Sequence, residues 1–353
     1  MESLVLNPFW KNKRVLLTGH TGFKGSWMSL WLQGMGAEVF GYALKSDTDP
    51  ALFDQLDLEQ KIHHHIGDIC DADALAAYVT DIKADFVFHL AAQSLVLRSY
   101  RDTLTTWNTN VMGTAHLLEA LRKSTHPCTV VVVTTDKVYQ NIETDHAYIE
   151  TDRLGGIDPY SASKAGTELV VDSYRSLYTQ ENLPIELASA RAGNVIGGGD
   201  WCENRLLPDI ARALMQDKSV ETRNPNAVRP WQHVLEPLSG YMLLAEKMTT
   251  DKTLAAAFNF GPKPCDNRTV EDVIQTALKT WAGTYHAQAN TDAPHEAGLL
   301  KLSIDKVRTK LGWQPKWDFE TAVANTMTWY KETAAGRAPL DISLEQIKAY
   351  EAA

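Results

Sequence analysis

The segment Asp158-Pro159-Tyr160-Ser161-Ala162-Ser163-Lys164 sets a phenol and an ammonium four residues apart. Asp158 is a good helix N-cap and Pro159 a good first helical residue. On a helix begun there, Tyr160 and Lys164 share one face. A free tyrosine titrates near about pH 10, too high for a base in neutral solution. A neighbouring cation stabilises the phenolate and lowers that value. The pair is therefore a candidate base toward a hydroxyl group. The alternative is a buried tyrosine and a solvated lysine at ordinary helical spacing. A second reactive cluster is Thr134-Thr135-Asp136-Lys137-Val138-Tyr139, at the end of an apolar run. If that strand continues, Thr135 and Lys137 point to one face.

A third stretch is built to hold rather than to react. Thr18-Gly19-His20-Thr21-Gly22-Phe23-Lys24-Gly25 has GxxGxxG spacing between a strand-like and a helix-like segment. One glycine permits the tight turn, one lets the backbone approach a pyrophosphate, and one allows close helix–strand packing. The following helix start adds unpaired N–H groups and a favourable dipole for phosphate. The alternative is a turn with no ligand. A Walker loop is excluded, because GxxxxGK[ST] is not matched. With a dinucleotide in this loop, an oxidised nicotinamide would add positive charge near Tyr160. A dinucleotide site usually has an acid after the second strand for the adenosine ribose. Here that strand ends Tyr42-Ala43-Leu44-Lys45, and the nearest acids are Asp47 and Asp49. Gly67-Asp68-Ile69 offers a carboxylate for the adenine amino group, or simply begins the next helix.

The elements needed to position these groups are legible along the first half. Strand-like segments fall at Arg14–Thr18, Glu38–Leu44, Asp85–Leu90, Thr129–Thr135 and Ile185–Ala190. Helical stretches reach to about Met35, run from an Asp71 cap to about Asp81, and span Leu104–Lys123. Alternating strands and helices imply βαβ units and a parallel sheet. Apolar runs without strict alternation imply cover on both sheet faces. From about Gly197 the pattern turns helical and irregular, although 257–261 (AFNFG) can rejoin the sheet. The expected division is 1–196 for a dinucleotide-binding domain and 197–353 for an interleaved substrate lobe.

Bulk properties narrow the class. The 353 residues are 44% hydrophobic and 22% charged, with a net charge of −10, values that suit a globular enzyme. So acidic a chain, without a Lys/Arg run, argues against nucleic-acid and anionic-membrane partners. Cys70, Cys128, Cys202 and Cys265 form no CxxC pair, which argues against zinc and disulfides and for a reducing cytosol. His63, His64 and His65 on a strand alternate faces and make a poor metal cage. No signal-peptide core or transmembrane-length apolar run is present. Most of the ten tryptophans read as packing residues.

Together these features resemble the extended short-chain dehydrogenase/reductase superfamily. Thr18–Gly25, Asp68-Ile69, His89-Leu90-Ala91-Ala92-Gln93, Thr109-Asn110-Val111 and Tyr160/Lys164 occur in its order. The resemblance implies a Rossmann-type, doubly wound parallel sheet with a smaller, mostly helical C-terminal lobe. It also implies NAD, held by Gly19, Thr21, Gly22, Phe23, Lys24, Gly25, Asp68, Ile69, Leu90, Ala91, Ala92, Thr109, Tyr160 and Lys164. A narrower similarity is to the nucleotide-sugar 4,6-dehydratases, which typically carry Thr-Asp-Glu where this chain has Thr135-Asp136-Lys137. The Asp-Lys form is similar to the CDP-glucose branch, as are Gly19–Trp27, Ala192–Trp201 and Arg229–Val234. This resemblance implies that Tyr160 takes the proton of the 4-hydroxyl as hydride leaves C4 for NAD. Thr135 holds that oxygen, Lys164 binds the nicotinamide ribose and tunes Tyr160, and Asp136 protonates the departing 6-hydroxyl. Hydride then returns to C6. Lys137 either removes the C5 proton as a neutral amine or stabilises the enolate as a cation. Asn194, Arg205, Arg229, Asn267 and His295 are the implied nucleotide-sugar contacts. The rest of the implied setting is a cytoplasmic homo-oligomer, dimer or tetramer, making deoxysugars for surface polysaccharide such as lipopolysaccharide.

Overall fold

The computed structural model describes residues 7–222, 225–287 and 300–353. Its centre is a seven-stranded sheet: β1 (Arg14–Thr18), β2 (Glu38–Ala43), β3 (His63–Ile66), β4 (Phe86–His89), β5 (Cys128–Thr135), β6 (Ile185–Ala192) and β7 (Ala257–Phe260). The order across the sheet is β7-β6-β5-β4-β1-β2-β3. Every pairing is parallel. The segment near 257–261 does rejoin the sheet, as β7 beside β6.

Why the strands read as unbroken apolar runs is visible in their packing. All eight residues of β5 are buried. Val131 and Val133 enter one core cluster, while Val130 and Val132 enter another on the opposite face. Leu17 and Leu16 of β1 divide in the same way. Full burial of each such side chain contributes about 1.5–3 kcal/mol. Helices α1 (Phe23–Gly34) and α6 (Leu235–Met248) cover one face; α2 (Ala72–Ile82), α3 (Gly113–Ser124) and α4 (Pro159–Gln180) cover the other. A third apolar cluster joins α5 (Leu206–Met215), α7 (Val270–Thr280) and α8 (Phe319–Ala334).

Caps fix where two of these helices begin. The Asp71 carboxylate accepts from the Ala74 amide at 3.0 Å, and the Asp158 carboxylate from the Ser161 amide at 2.9 Å. Pro159 occupies the first turn of α4. The helix expected over Leu104–Lys123 differs: Thr103–Trp107 is α-helical, Asn108–Met112 is one π-helical turn, and α3 follows. That turn accompanies long-range bonding by Asn110. Its side chain accepts from the Gln93 amide at 2.8 Å and donates to the Gln93 carbonyl and to Ser163 Oγ. Such single π turns are common at functional sites. Here it ties the end of β4 to the start of α4.

Candidate active site

β1 pairs with β2 on one side and β4 on the other. The order in which successive strands are laid down reverses at that point, so a crevice opens at the carboxyl ends of the strands. The glycine loop forms its floor. Gly19 has φ +77°, and a Cβ there would lie 2.6 Å from the Ala91 amide nitrogen. A Cβ on Gly25 would collide with the Gly19 carbonyl oxygen. The first turn of α1 carries no acidic residue, leaving its N–H groups to an anion. Thr21 Oγ1 donates to the Leu44 carbonyl at 2.8 Å, fastening the loop to the end of β2. These features fit a dinucleotide pyrophosphate.

Gly22 separates two effects. Its φ of −79° is ordinary, and a Cβ there would meet the Gly19 oxygen at an acceptable 3.4 Å. Gly22→Ala is therefore expected to keep the unfolding temperature of the cofactor-free protein but weaken NAD binding by about tenfold or more. Gly25→Ala is expected to lower both. Thermal unfolding and NAD titration of the two variants check this; equal unfolding temperatures would show that loop packing tolerates the added methyl.

Other cofactor-wall residues take varied places. Asp68 Oδ1 accepts from the Cys70 amide at 2.9 Å, in the turn before the Asp71 cap. Ile69 is a core residue. Leu90, Ala91 and Ala92 follow β4, and Thr18 Oγ1 accepts from the Ala91 amide. Thr109 lies in the π turn and accepts weakly from the Cys70 thiol. Asp47, one of the acids after β2, pairs with Arg98 at 2.6 Å.

At the end of β5 the reactive groups gather. Thr135 Oγ1 donates to Asp136 Oδ1 at 2.9 Å, and the Thr135 hydroxyl is among the groups that act on the Tyr160 phenol. Tyr160, Thr135 and Asp136 are all buried. Burial pushes the Tyr160 phenol up to about 12, opposed by the Thr135 hydrogen bond, reinforced by Asp136 and opposed again by Arg205. The lowering expected from the helical Tyr–Lys spacing is absent in the protein alone: Lys164 is not among the groups that act on Tyr160, and desolvation dominates. Lys164 Nζ donates instead to the Val133 carbonyl at 3.3 Å. Burial brings Lys164 down to about 8 against the opposing charge of Glu168.

Lys137 does not continue the strand. Residues Asp136–Val138 form a 3-10 turn, capped where Thr135 Oγ1 accepts from the Lys137 amide at 3.3 Å. The shared-face expectation for Thr135 and Lys137 fails for that reason. The Lys137 ammonium nevertheless stands 3.8 Å from Asp136 Oδ1, with its side chain 29% exposed. Lys24, from the loop, faces the same centre. Burial, then the charges of Arg205 and Lys164, bring it to about 7, with Asp136 opposing.

Those of the implied sugar contacts that are described are placed as follows. Arg205 interacts electrostatically with Tyr160 and is held by Asp200 at 2.9 Å. Arg229 and Asn267 sit on one antiparallel ribbon, where Pro230 is the partner of Asn267. A Cβ on Gly193, beside Asn194, would contact both Pro230 and Asp136 Oδ2. That ribbon therefore lies close to the Asp136 carboxylate. His295 lies outside the described residues.

Some participants were not assigned from sequence. His20 Nε2 and His64 Nδ1 are 2.6 Å apart, and the His20 ring fills the space over Gly41. The His63–His65 run thus supports the glycine loop through His64. Burial, then His64, lowers His20 to about 3, so the contact joins two neutral rings. Among the described residues, no group of three His, Cys, Asp or Glu could hold a metal ion. No described helix is long and apolar enough to cross a membrane.

Comparison with known proteins gives the same picture. Residues 16–326 match the family model for GDP-mannose 4,6 dehydratase. A CDP-glucose 4,6-dehydratase of Salmonella typhimurium is 44% identical over 351 residues, covering 98% of this chain and 98% of its own. A dTDP-glucose 4,6-dehydratase of Mycolicibacterium smegmatis is 27% identical, over 94% of this chain and 97% of that one. The solved dTDP-glucose 4,6-dehydratase of Streptomyces venezuelae, with NAD bound, aligns with a TM-score of 0.76 at 25% identity, over 93% of this chain and 99% of that one. With a model spanning most of its length and a full-length relative at 44% identity, the chain belongs to the nucleotide-sugar 4,6-dehydratase family of extended short-chain dehydrogenases/reductases.

Proposed function

We propose that the protein is an NAD-dependent hydro-lyase that converts CDP-D-glucose to CDP-4-keto-6-deoxy-D-glucose and water. The observation that carries the chemistry is the buried grouping of Tyr160 with the hydrogen-bonded Thr135–Asp136 pair beside a glycine cradle. The choice of nucleotide rests on the Salmonella relative and on the Asp136-Lys137 pair. NAD, when bound, supplies a hydride acceptor at the start of turnover and the same hydride at its end, so it is retained.

Tyr160 takes the proton of the sugar 4-hydroxyl, with Thr135 steadying that oxygen. Lys164 holds the nicotinamide ribose, and its charge stabilises the phenolate. Asp136 gives a proton to the departing 6-hydroxyl, while Lys137 serves loss of the C5 proton. Arg205 and Arg229 hold the diphosphate by charge-assisted bonds, with Asn194, Asn267 and His295 completing the contacts. Residues 1–196 with β7 form the cofactor domain, and 197–353 the interleaved sugar-binding part. Leu104, Trp107, Met112 and Leu169 are exposed apolar side chains on or beside the helices flanking the π turn and on α4. They support a homo-oligomer, working in the cytoplasm on deoxysugar supply for surface polysaccharide.

Incubation with NAD and CDP-, UDP-, GDP- and dTDP-hexoses, followed by detection of the 4-keto-6-deoxy product, tests this reading. CDP-glucose is expected to give the highest kcat/KM. A preference for another nucleotide overturns the substrate assignment, and epimerised product overturns the reaction.

A further inference from the structure

Beneath the Tyr160–Lys164 pair lies a second pair of charges that the reaction above leaves unused. Glu168 is on α4, one helical turn beyond Lys164, and is fully buried. Its Oε1 accepts from Thr134 Oγ1. Its Oε2 accepts from Ser189 Oγ at 2.7 Å and from Arg191 Nη2 at 2.8 Å. Arg191, also buried, donates through Nη1 to the Tyr139 hydroxyl at 2.9 Å and the Glu150 carbonyl at 3.0 Å. The Tyr139 hydroxyl donates in turn to Asn259 Oδ1 at 2.7 Å. One carboxylate thus ties together α4, β5 and β6, and its partner reaches β7 and the chain just after the catalytic turn.

Stability alone is a weak reason for this arrangement. Desolvating two charges offsets their attraction, and apolar replacements of similar volume often do as well. Position gives a better reason. Thr134 directly precedes Thr135, so the grip of Glu168 on its hydroxyl fixes the strand end from which Thr135 and Asp136 project. The charged and titratable groups around Lys164 are the neutral Tyr160 and Glu168 on its own helix, His89 from β4 and Lys24 from α1. Only Glu168 among them carries opposite charge, while burial works against the ammonium.

We propose that Glu168 is a positioning residue for the reaction: paired with Arg191, it holds the Thr134–Asp136 strand end and sets its carboxylate one helical turn from Lys164. The inference rests on Tyr160 and Lys164 being the catalytic pair, which Tyr160→Phe tests separately. The Glu168 carboxylate raises the Lys164 pKa, so removing its charge lowers that pKa further. Lys164 then loses its proton at lower pH. In Glu168→Gln, with NAD and CDP-glucose saturating, the alkaline limb of kcat is expected to move about one unit toward lower pH. Glu168→Asp, which retains the charge, is expected to return the limb toward its original position even if kcat stays reduced. The double variant Glu168→Gln/Arg191→Met leaves no unpaired buried charge, and its limb is expected to move in the same direction. A purely structural role would lower kcat and unfolding temperature without moving the limb. Either folded Gln variant with its limb at the original pH overturns the proposal.

Discussion

Tyr160→Phe is expected to lower turnover by about 100- to 10,000-fold, the usual range for loss of a positioned acid–base group. The ring keeps its volume in a buried site, so the fold and NAD retention should persist. What disappears is the phenol O–H beside the Thr135–Asp136 pair. The effect should fall on the first chemical step. In a single turnover with bound NAD, the rise in NADH absorbance should be absent from the start, not merely slowed after a burst. The same experiment bears on the high intrinsic pKa. Burial holds Tyr160 near about 12 in the protein alone, so phenolate becomes accessible only once further positive charge arrives. Spectrophotometric titration of tyrosine should therefore show a phenolate that ionises at lower pH in the NAD complex than in the stripped protein, and that is lost in Tyr160→Phe. Normal NADH formation by Tyr160→Phe would remove the residue from the chemistry.

Much of this arrangement was legible because it is local. The Asp158–Pro159 start of α4, the Asp71 cap of α2 and the valine run of β5 each follow from a few adjacent residues. The return of 257–261 to the sheet was readable from its apolar character, and β6 supplied the edge it joined. What the sequence hid depends on distant partners or on competing local bonds. His20 meets His64 across 44 positions, and Thr134 meets Glu168 across 34. Neither spacing is a helix or strand period. Asn110 was visible within a motif, but its bonds to Gln93 and Ser163, and the π turn beside them, were not. At Lys137, strand periodicity lost to a local competitor. The Thr135 hydroxyl takes the Lys137 amide and bends the chain into a 3-10 turn, a choice threonine side chains offer at the end of any regular element. Burial was the remaining gap. Tyr–Lys spacing predicts a favourable charge, but Lys164 does not act on Tyr160 in the protein alone, and spacing gives no sign of the desolvation that dominates there.

That turn changes the grounds for assigning Lys137, and sharpens its expected effect. With the shared strand face gone, the argument rests on its 3.8 Å approach to the buried Asp136 carboxylate. Asp136 also accepts from Thr135 and acts electrostatically on Tyr160, so Lys137 borders the oxidation machinery without belonging to it. Lys137→Ala is therefore expected to retain part of the C4 oxidation and lose dehydration, by about 100-fold or more. NADH absorbance should rise in a single turnover while the 4-keto-6-deoxy product stays low. Solvent deuterium exchange at C5 should fall sharply, because that exchange reports removal and return of the C5 proton. The contrast with Tyr160→Phe is the test: one variant should stop before NADH appears, the other after. Loss of NADH formation in Lys137→Ala as complete as in Tyr160→Phe, with substrate still bound, would mean that Lys137 acts by setting the Asp136 carboxylate for the first step. Dehydration at the normal rate would reduce it to an exposed partner of Asp136, and the proton at C5 would need another acceptor. Lys24, drawn to about 7 by burial and by its cationic neighbours, with Asp136 in its field, would then be the group to replace next.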